Sequence, residues 1–172
     1  MSRAPWSSIL AAVLVATGSA AAQEAPAPAP CAAPEHRQFD FWIGTWDVED
    51  AQGEPAGSNR IEAVHGGCAL HESWQGKRLT GSSLSAWDPA RGVWHQTWVD
   101  GSGLVLHLDG GFADGAMRLA GENPTWGREG MVRQEITWRA ESADRVRQTG
   151  RLSEDGGATW TVLFDLLYVR RR

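Results

Sequence analysis

Residues 39–48 read FDFWIGTWDV, a segment that places three large aromatic side chains before a Gly-Thr-Trp and a strand-like pattern. Phe39, Phe41 and Trp42 carry much apolar surface, which is stabilising only if it leaves water. We therefore expect a short helical turn around residues 35–43 to close one end of whatever the following strands build. Trp46 then begins the first strand.

The rest of the chain is typical of short β-strands. Period-2 patterns rich in β-branched and aromatic residues recur between Gly, Asp-Gly and Asp-Pro turn signals, with no sustained helical period. Short strands joined by tight turns bury their edges best when the sheet closes on itself. The sequence predicts an all-β domain, a single antiparallel up-and-down barrel of about ten strands with an N-terminal helical plug. The predicted strands are 45–50, 59–64, 68–75, 82–87, 93–99, 103–109, 115–121, 131–139, 145–152 and 159–169.

The N-terminus has the features of an export signal. Arg3 supplies a positive charge, residues 9–16 are apolar but too few to span a bilayer, and residues 20–22 are three alanines suited to signal peptidase. We expect cleavage after Ala22, and hence a periplasmic or secreted protein without a membrane span. The residues before Cys31 lack the pattern of a lipoprotein site.

The domain organisation follows from this signal. A signal peptide is predicted at 1–22, and a Pro/Ala-rich leader at 23–34 has nothing to bury and is expected to be disordered. The barrel domain is predicted at 35–172.

Two cysteines, Cys31 and Cys68, remain after cleavage. In an oxidising compartment such a pair is more often a disulfide than two free thiols, and we predict that bond. A metal site is disfavoured because no CxxC or neighbouring Cys/His set is present.

Charge and motifs exclude several classes of function. The formal charge of −5 disfavours nucleic-acid binding, which needs a surplus of Lys and Arg. The chain has no G-x-S-x-G, H-E-x-x-H or P-loop motif, so no catalytic residue is assigned. Glycoside chemistry would need Glu72 and a second carboxylate, Asp165, Glu135 or Asp47, which the strand pattern places on the opposite face.

The triplet Gly44-Thr45-Trp46 after a short helical turn resembles the first strand of the calycin superfamily, which includes lipocalins, fatty-acid-binding proteins and nitrobindin-like barrels. That resemblance implies a Trp packed at the barrel base against an Arg from the last strand, here Trp46 and Arg170. The segments FDFWIGTWDV, GGCALHESW and DGGATW also resemble a family of uncharacterised exported bacterial proteins, a likeness that implies no activity.

Residues 153–160 fit S-x-D-x-G-x-T-W, the Asp-box hairpin of sialidase propellers. Propellers repeat this motif in every blade, and the chain contains it once. We therefore interpret it as a local hairpin turn in which Asp155 caps backbone N–H groups.

The phase of each strand decides which side chains face inward. With Trp46 taken as inward, the large apolar residues select one face on each strand. On four strands (68–75, 93–99, 131–139 and 145–152) that face combines aromatic or aliphatic residues with Glu72 or a Gln. On the last strand the inward set is predicted to be Trp160, Val162, Phe164, Leu166 and Tyr168.

Convergent polar groups in an aromatic cavity are typical of a small-molecule site. We predict that the interior binds a small hydrophobic molecule and that no cofactor is required. The predicted ligand-binding residues are Glu72, Trp74, Trp94, Gln96, Trp98, Gln134, Trp138, Gln148, Phe164 and Tyr168.

Three alternatives remain open. The interior could be fully packed, with Glu72 in a buried ion pair to Arg133 or Arg147. If the phase were reversed, His71, His95 and His107 would converge inside, and one could bind haem as in nitrobindin-like barrels. An interaction protein could instead use the loop 121–130, with Trp126 at its tip as a lid or an anchor.

Overall fold

The computed structural model describes residues 30–125 and 129–172. Within these ranges the chain forms ten antiparallel strands, each close to a predicted position, and the all-β prediction is confirmed. The strands are β1 (Gly44–Glu49), β2 (Pro55–Val64), β3 (Ala69–Gly76), β4 (Thr80–Asp88), β5 (Val93–Asp100), β6 (Val105–Ala113), β7 (Ala116–Asn123), β8 (Val132–Ser142), β9 (Arg145–Ser153) and β10 (Thr161–Arg170).

The barrel is a simple meander that closes between its first and last strands. Each strand pairs with the next, and β1 pairs with β10, with Trp46 opposite Arg170 and Val48 opposite Tyr168. Closure leaves none of these ten strands with an unpaired edge, and unpaired edges are sites at which chains aggregate. The prediction of a closed up-and-down barrel is therefore confirmed.

The segment 39–48 closes the end of the barrel at which β1 begins. Two short 3-10 turns, Pro34–Arg37 and Asp40–Trp42, precede β1, and the side chains of Phe39 and Trp42 are fully buried. The Phe39 ring lies 5.2 Å from the Trp138 ring and 5.7 Å from the Trp94 ring, measured between centroids. The aromatic residues thus form a hydrophobic plug across this end of the barrel.

The disulfide between Cys31 and Cys68 is present, as predicted, with the two Cα atoms 5.1 Å apart. It attaches the chain ahead of the plug to the short 3-10 turn His65–Gly67 and the start of β3. Arg37 adds a hydrogen bond to the carbonyl of Gly67 and a contact of 3.4 Å to Asp40. The chain is therefore held to the barrel from Cys31, before the predicted domain boundary at residue 35.

The predicted signal peptide lies outside the described residues, as do residues 23–29 of the predicted leader. Trp126, the predicted lid or anchor, also lies outside them, between β7 and β8. In the parts of the chain that are described, no helix has the length and apolar character needed to cross a membrane.

The predicted inward set is wrong at the start of β10. The pairing of β10 with β9 shifts between Val162 and Phe164, and this bulge rotates the preceding residues out of phase. Val162 is 67% exposed, and Trp160 lies on the outer side against Arg151, whose Cζ is 4.3 Å from the ring centroid. From Phe164 onward the predicted phase holds.

The Asp-box residues form a local turn between β9 and β10, as interpreted from the single motif. Asp155 accepts hydrogen bonds from the backbone N–H of Thr159 (2.8 Å) and from its hydroxyl (2.7 Å). The Gly157 N–H donates to Ser153 Oγ at 2.8 Å, and the Trp160 indole N–H donates to the Gly157 carbonyl at 3.0 Å. All of these bonds stay within the hairpin, so the motif stabilises a turn.

Candidate functional site

A cavity of about 580 Å³ occupies the half of the barrel opposite the plug. It opens among the loops that join β3 to β4, β5 to β6, β7 to β8 and β9 to β10. The predicted ligand-binding residues that line it are Glu72, Trp74, Gln96, Trp98, Gln134, Gln148, Phe164 and Tyr168.

Trp94 and Trp138 lie in a different part of the interior. Both belong to the fully buried cluster around the plug and are not among the residues that line the cavity. The indole N–H of Trp94 donates to Gln38 Oε1 of the plug at 3.1 Å. Their inward orientation was predicted correctly, but their height along the barrel axis places them beneath the cavity.

The upper wall of the cavity is aromatic, and glycines on neighbouring strands make room for the rings. A Cβ on Gly81 would overlap the Trp98 ring, and a Cβ on Gly150 would overlap the Phe164 ring. The rings therefore lie along the wall, close to the backbone of the adjacent strand, and the centre of the barrel stays open. Trp74 lies in the same way over Gly57 and Gly76.

The floor of the cavity is polar and centred on Glu72, whose side chain is buried. Glu72 Oε1 accepts a hydrogen bond of 2.6 Å from Asn59 Nδ2, and Oε2 accepts one of 2.6 Å from Ser83 Oγ. Gln96 Nε2 donates in turn to Ser83 Oγ at 3.3 Å and to Ser85 Oγ at 3.0 Å. The carboxylate is thus held by neutral donors from β2 and β4.

The same floor extends across the barrel to β9 and β10. Asn59 Nδ2 donates to the Tyr168 hydroxyl at 3.2 Å, and that hydroxyl donates to Gln148 Oε1 at 2.5 Å. Asn59 Oδ1 is buried and has no hydrogen-bond partner among the described residues. This acceptor lies behind the cavity surface, since Asn59 is not among the residues that line the cavity.

Burial changes the titration of the two ionisable groups on the floor. Loss of hydration raises the pKa of Glu72, and the hydrogen bonds from Ser83 and Asn59 offset this only in part. Burial, and then the charge of Glu72, raise the pKa of Tyr168 well above its ordinary value. The phenol keeps its proton, which it donates to Gln148.

Glu72 does not form the ion pair considered from the sequence. Arg133 lies 3.8 Å from Glu122, and Arg147 contacts Glu141 (2.7 Å) and Asp165 (2.8 Å), all on the outer face. Among the described residues, no Lys or Arg is paired with Glu72. The fully packed interior is likewise not observed, because the cavity is open.

The three carboxylates considered as partners of Glu72 for glycoside chemistry each form an ion pair with an arginine and do not contact Glu72. Asp47 pairs with Arg171, Asp165 with Arg147, and Glu135 with Arg151 at 2.8 Å. Glu135 and Arg151 contribute to the cavity lining, yet their charged groups are engaged with each other.

Sequence reasoning missed Asp100, a second buried carboxylate that lines the cavity near its mouth. Its Oδ1 accepts hydrogen bonds from the backbone N–H groups of Ser102 (2.9 Å) and Leu104 (3.2 Å). Burial opposes ionisation, but a hydrogen bond from the Ser102 hydroxyl, these two backbone hydrogen bonds and one from Trp98 leave the pKa of Asp100 below its ordinary value. The sequence Asp-Gly-Ser-Gly at residues 100–103 indicates a turn capped by Asp100. It does not indicate that the Asp100 side chain is buried.

His71, His95 and His107, the histidines of the haem alternative, lie on the outer face, because their strands have the predicted phase. His95 Nδ1 lies 2.8 Å from Asp109 Oδ1, and its Nε2 lies 2.9 Å from Thr97 Oγ1. The His107 ring stacks against the His95 ring, with the two ring centroids 6.1 Å apart. His71 lies on β3 opposite Leu84, an exposed residue of β4. The haem alternative required these residues inside, so its structural premise is not met. Across the described residues, no cluster of three or more His, Cys, Asp or Glu side chains could hold a metal ion.

The chain matches none of the protein-family models with which it was compared, and no curated protein matches it. The closed antiparallel barrel is consistent with a calycin-like fold. The chemistry of the cavity is therefore the basis on which a function can be inferred.

Proposed function

We propose that this protein is an exported, calycin-like barrel that binds a small apolar or aromatic molecule in its cavity. The observation that carries the proposal is the cavity of about 580 Å³, closed at one end by the plug and open at the other. A packed structural barrel of this kind would fill its centre with side chains, as dense cores do.

The lining has the composition expected of a small-molecule site. Such sites combine a mostly apolar surface with a few polar groups that orient the ligand. Trp74, Trp98 and Phe164 supply contact area on the wall, and Glu72 and Gln148 supply polar contacts on the floor. The rings are held against glycines, so a ligand enters a cavity that needs little rearrangement.

Export to the periplasm or the medium is part of the proposal. It is supported by the disulfide between Cys31 and Cys68, since disulfides persist mainly in oxidising compartments. The predicted signal sequence would provide the route. Recovery of a chain that begins at Gln23 from periplasmic extract, identified by mass spectrometry, is the expected result.

Binding is tested directly by native mass spectrometry of protein purified from periplasm, and by titration with a panel of apolar and aromatic compounds. We expect either a co-purified small molecule or a saturable change in tryptophan emission, because Trp74 and Trp98 line the cavity. The variant Trp98→Phe should lose part of that change, whereas Trp160→Phe, on the outer side, should retain it. If no compound binds and none co-purifies, the proposed function is wrong.

A further inference from the structure

The floor of the cavity holds a carboxylate that lacks a cation. Glu72 is only 5% exposed, and each of its oxygens accepts one hydrogen bond, from Asn59 or from Ser83. A carboxylate has about four lone-pair sites, so these two bonds satisfy it only in part. Burying a carboxylate with neutral donors alone is costly, and such groups are usually paired with a cation.

The other lining residues do not supply that cation. The charged residues of the lining are three acids, Glu72, Asp100 and Glu135, and one base, Arg151, which is paired with Glu135. Among the described residues that line the cavity, none carries a positive charge free to approach Glu72. The lining therefore has a surplus of acidic side chains over basic ones.

The hydrogen-bonding pattern on the floor also favours a ligand that donates. Tyr168 uses its one proton toward Gln148, and Ser83, which accepts from Gln96, uses its proton toward Glu72. The buried oxygen Asn59 Oδ1 has no partner among the described residues. Asn59 is not among the residues that line the cavity, so the acceptor that a ligand can reach is Glu72 itself. A protonated amine could donate to the open lone pairs of this carboxylate, whereas a quaternary ammonium group would meet its charge without a hydrogen bond.

Aromatic rings stand next to this carboxylate. Trp74 is two residues from Glu72 on the same face of β3, and the Tyr168 hydroxyl shares Asn59 as a hydrogen-bond partner with Glu72. Aromatic faces attract cations, most strongly where water is excluded. A carboxylate beneath aromatic walls is a chemical environment suited to an ammonium group.

We propose that the ligand of this cavity is an organic cation, an apolar or aromatic body that ends in an amine or a quaternary ammonium group placed against Glu72. This inference rests on the proposed function, because it assigns the ligand class of the same cavity. The competing arrangement is an anionic amphiphile whose head group stays at the mouth near Lys77 and Arg78, which lie in the exposed loop between β3 and β4.

Three probes with a ten-carbon chain separate these ligand classes: decyltrimethylammonium, 1-decanol and sodium decanoate. Each is titrated into the disulfide-bonded mature protein by calorimetry and by tryptophan fluorescence, near neutral pH. We expect the cation to bind at least about tenfold more tightly than the alcohol or the carboxylate. Tighter binding of decanoate would support the head group at the mouth and overturn the cation proposal.

Glu72→Gln is the decisive variant, since it removes the charge and nearly conserves the shape. It should weaken decyltrimethylammonium binding by about tenfold or more and leave 1-decanol binding unchanged. Glu122→Gln, on the outer face of β7 with a side chain 57% exposed, is the matched control and should change neither. Equal losses for all probes in Glu72→Gln, or no loss for the cation, would overturn the proposal.

A measurement on the unmodified protein covers the case in which Glu72→Gln does not fold. The groups that face Glu72 are Asn59 from β2, Ser83 from β4 and Tyr168 from β10, and of these only Tyr168 titrates, at high pH. The lining also contains Asp100, whose pKa is lowered, and Glu135, which is paired with Arg151. Decyltrimethylammonium has no titrating group. Its affinity should therefore fall as the pH is lowered and Glu72, whose pKa is raised by burial, takes up a proton.

The two levels of the proposal fail in different ways. If the three ten-carbon probes bind equally well, or the cation affinity does not change with pH, the cation assignment is wrong and the binding function stands. If no probe binds, both the cation assignment and apolar binding are contradicted for ligands of this size.

Discussion

The guanidinium of Arg170, at the end of β10, lies over the indole of Trp46 on β1, with Cζ 4.1 Å from the ring centroid. Arg170 Nη1 also donates to the Ile43 carbonyl at 2.9 Å, and Nε donates to the Ala143 carbonyl at 3.0 Å. One side chain thus joins the last strand, the plug and the turn between β8 and β9. This contact closes the base of the barrel.

Replacing Arg170 by Ala should destabilise the protein by roughly 1–2 kcal/mol, through lost stacking and lost packing of its methylene stem. Urea unfolding followed by tryptophan fluorescence measures the change. Arg172→Ala is the control, since its side chain is 90% exposed and its contact to Asp144 is 3.5 Å. Ligand affinity should be unaltered, because neither residue lines the cavity. Equal stability of Arg170→Ala and the parent protein would contradict the role assigned to this contact.

The disulfide should contribute strongly to stability. It links residues separated by 37 positions, and in the chain-entropy model such a loop is worth on the order of 3–4 kcal/mol. The double variant Cys31→Ser, Cys68→Ser should therefore have a lower free energy of unfolding by about that amount. Reductant should lower the melting temperature of the parent protein and leave that of the double variant unchanged. Two reactive thiols in the unfolded, unreduced parent protein would show that the bond does not form.

Burial of Glu72 should make stability depend on pH. Its pKa is raised in the folded state, so the folded protein binds the proton more tightly than the unfolded chain does. Stability then decreases as the pH rises from the unfolded pKa, near 4.5, through the folded pKa. Glu72→Gln lacks this dependence and should gain stability relative to the parent protein as the pH rises.

Urea unfolding of both proteins across this pH range measures the effect, with Glu122→Gln as the exposed control. The difference between Glu72→Gln and the parent protein should be smallest at the acidic end. A difference that stays constant with pH would mean that Glu72 does not titrate with a raised pKa in the folded protein.

Gly150→Ala should reduce the cavity. The added methyl group overlaps the Phe164 ring and must push it toward the centre of the barrel, at a cost of roughly 1–3 kcal/mol in stability. Affinity for any ligand that reaches the floor should fall, whatever its charge. Gly111→Ala on β6 is the control, because a Cβ there meets no atom within 4 Å. Unchanged ligand affinity in Gly150→Ala would argue that the ligand does not pass Phe164.

Much of the fold could be predicted because the relevant signals are local. Alternation in β3 places Leu70, Glu72 and Trp74 on one face whatever the partner strands are, and the structure has them there. The strand β2 was predicted to begin at residue 59 rather than Pro55, because residues 55–58 have the composition of a turn. A Cβ at Gly57 would overlap the Gln75 carbonyl and the Trp74 ring, both of which belong to another strand.

The sequence by itself determined the strands, the plug, the cysteine pair and the face on which most side chains lie, since each depends on neighbours along the chain. Only the tertiary structure decided which inward-facing side chains lie at the same level along the barrel axis. Register places Ser83 opposite Glu72 and puts Trp94 and Trp138 in the core around the plug, while Trp74 and Trp98 line the cavity. A period of two specifies the face of a strand but not its height, because height is set by pairing between strands and by closure of the barrel.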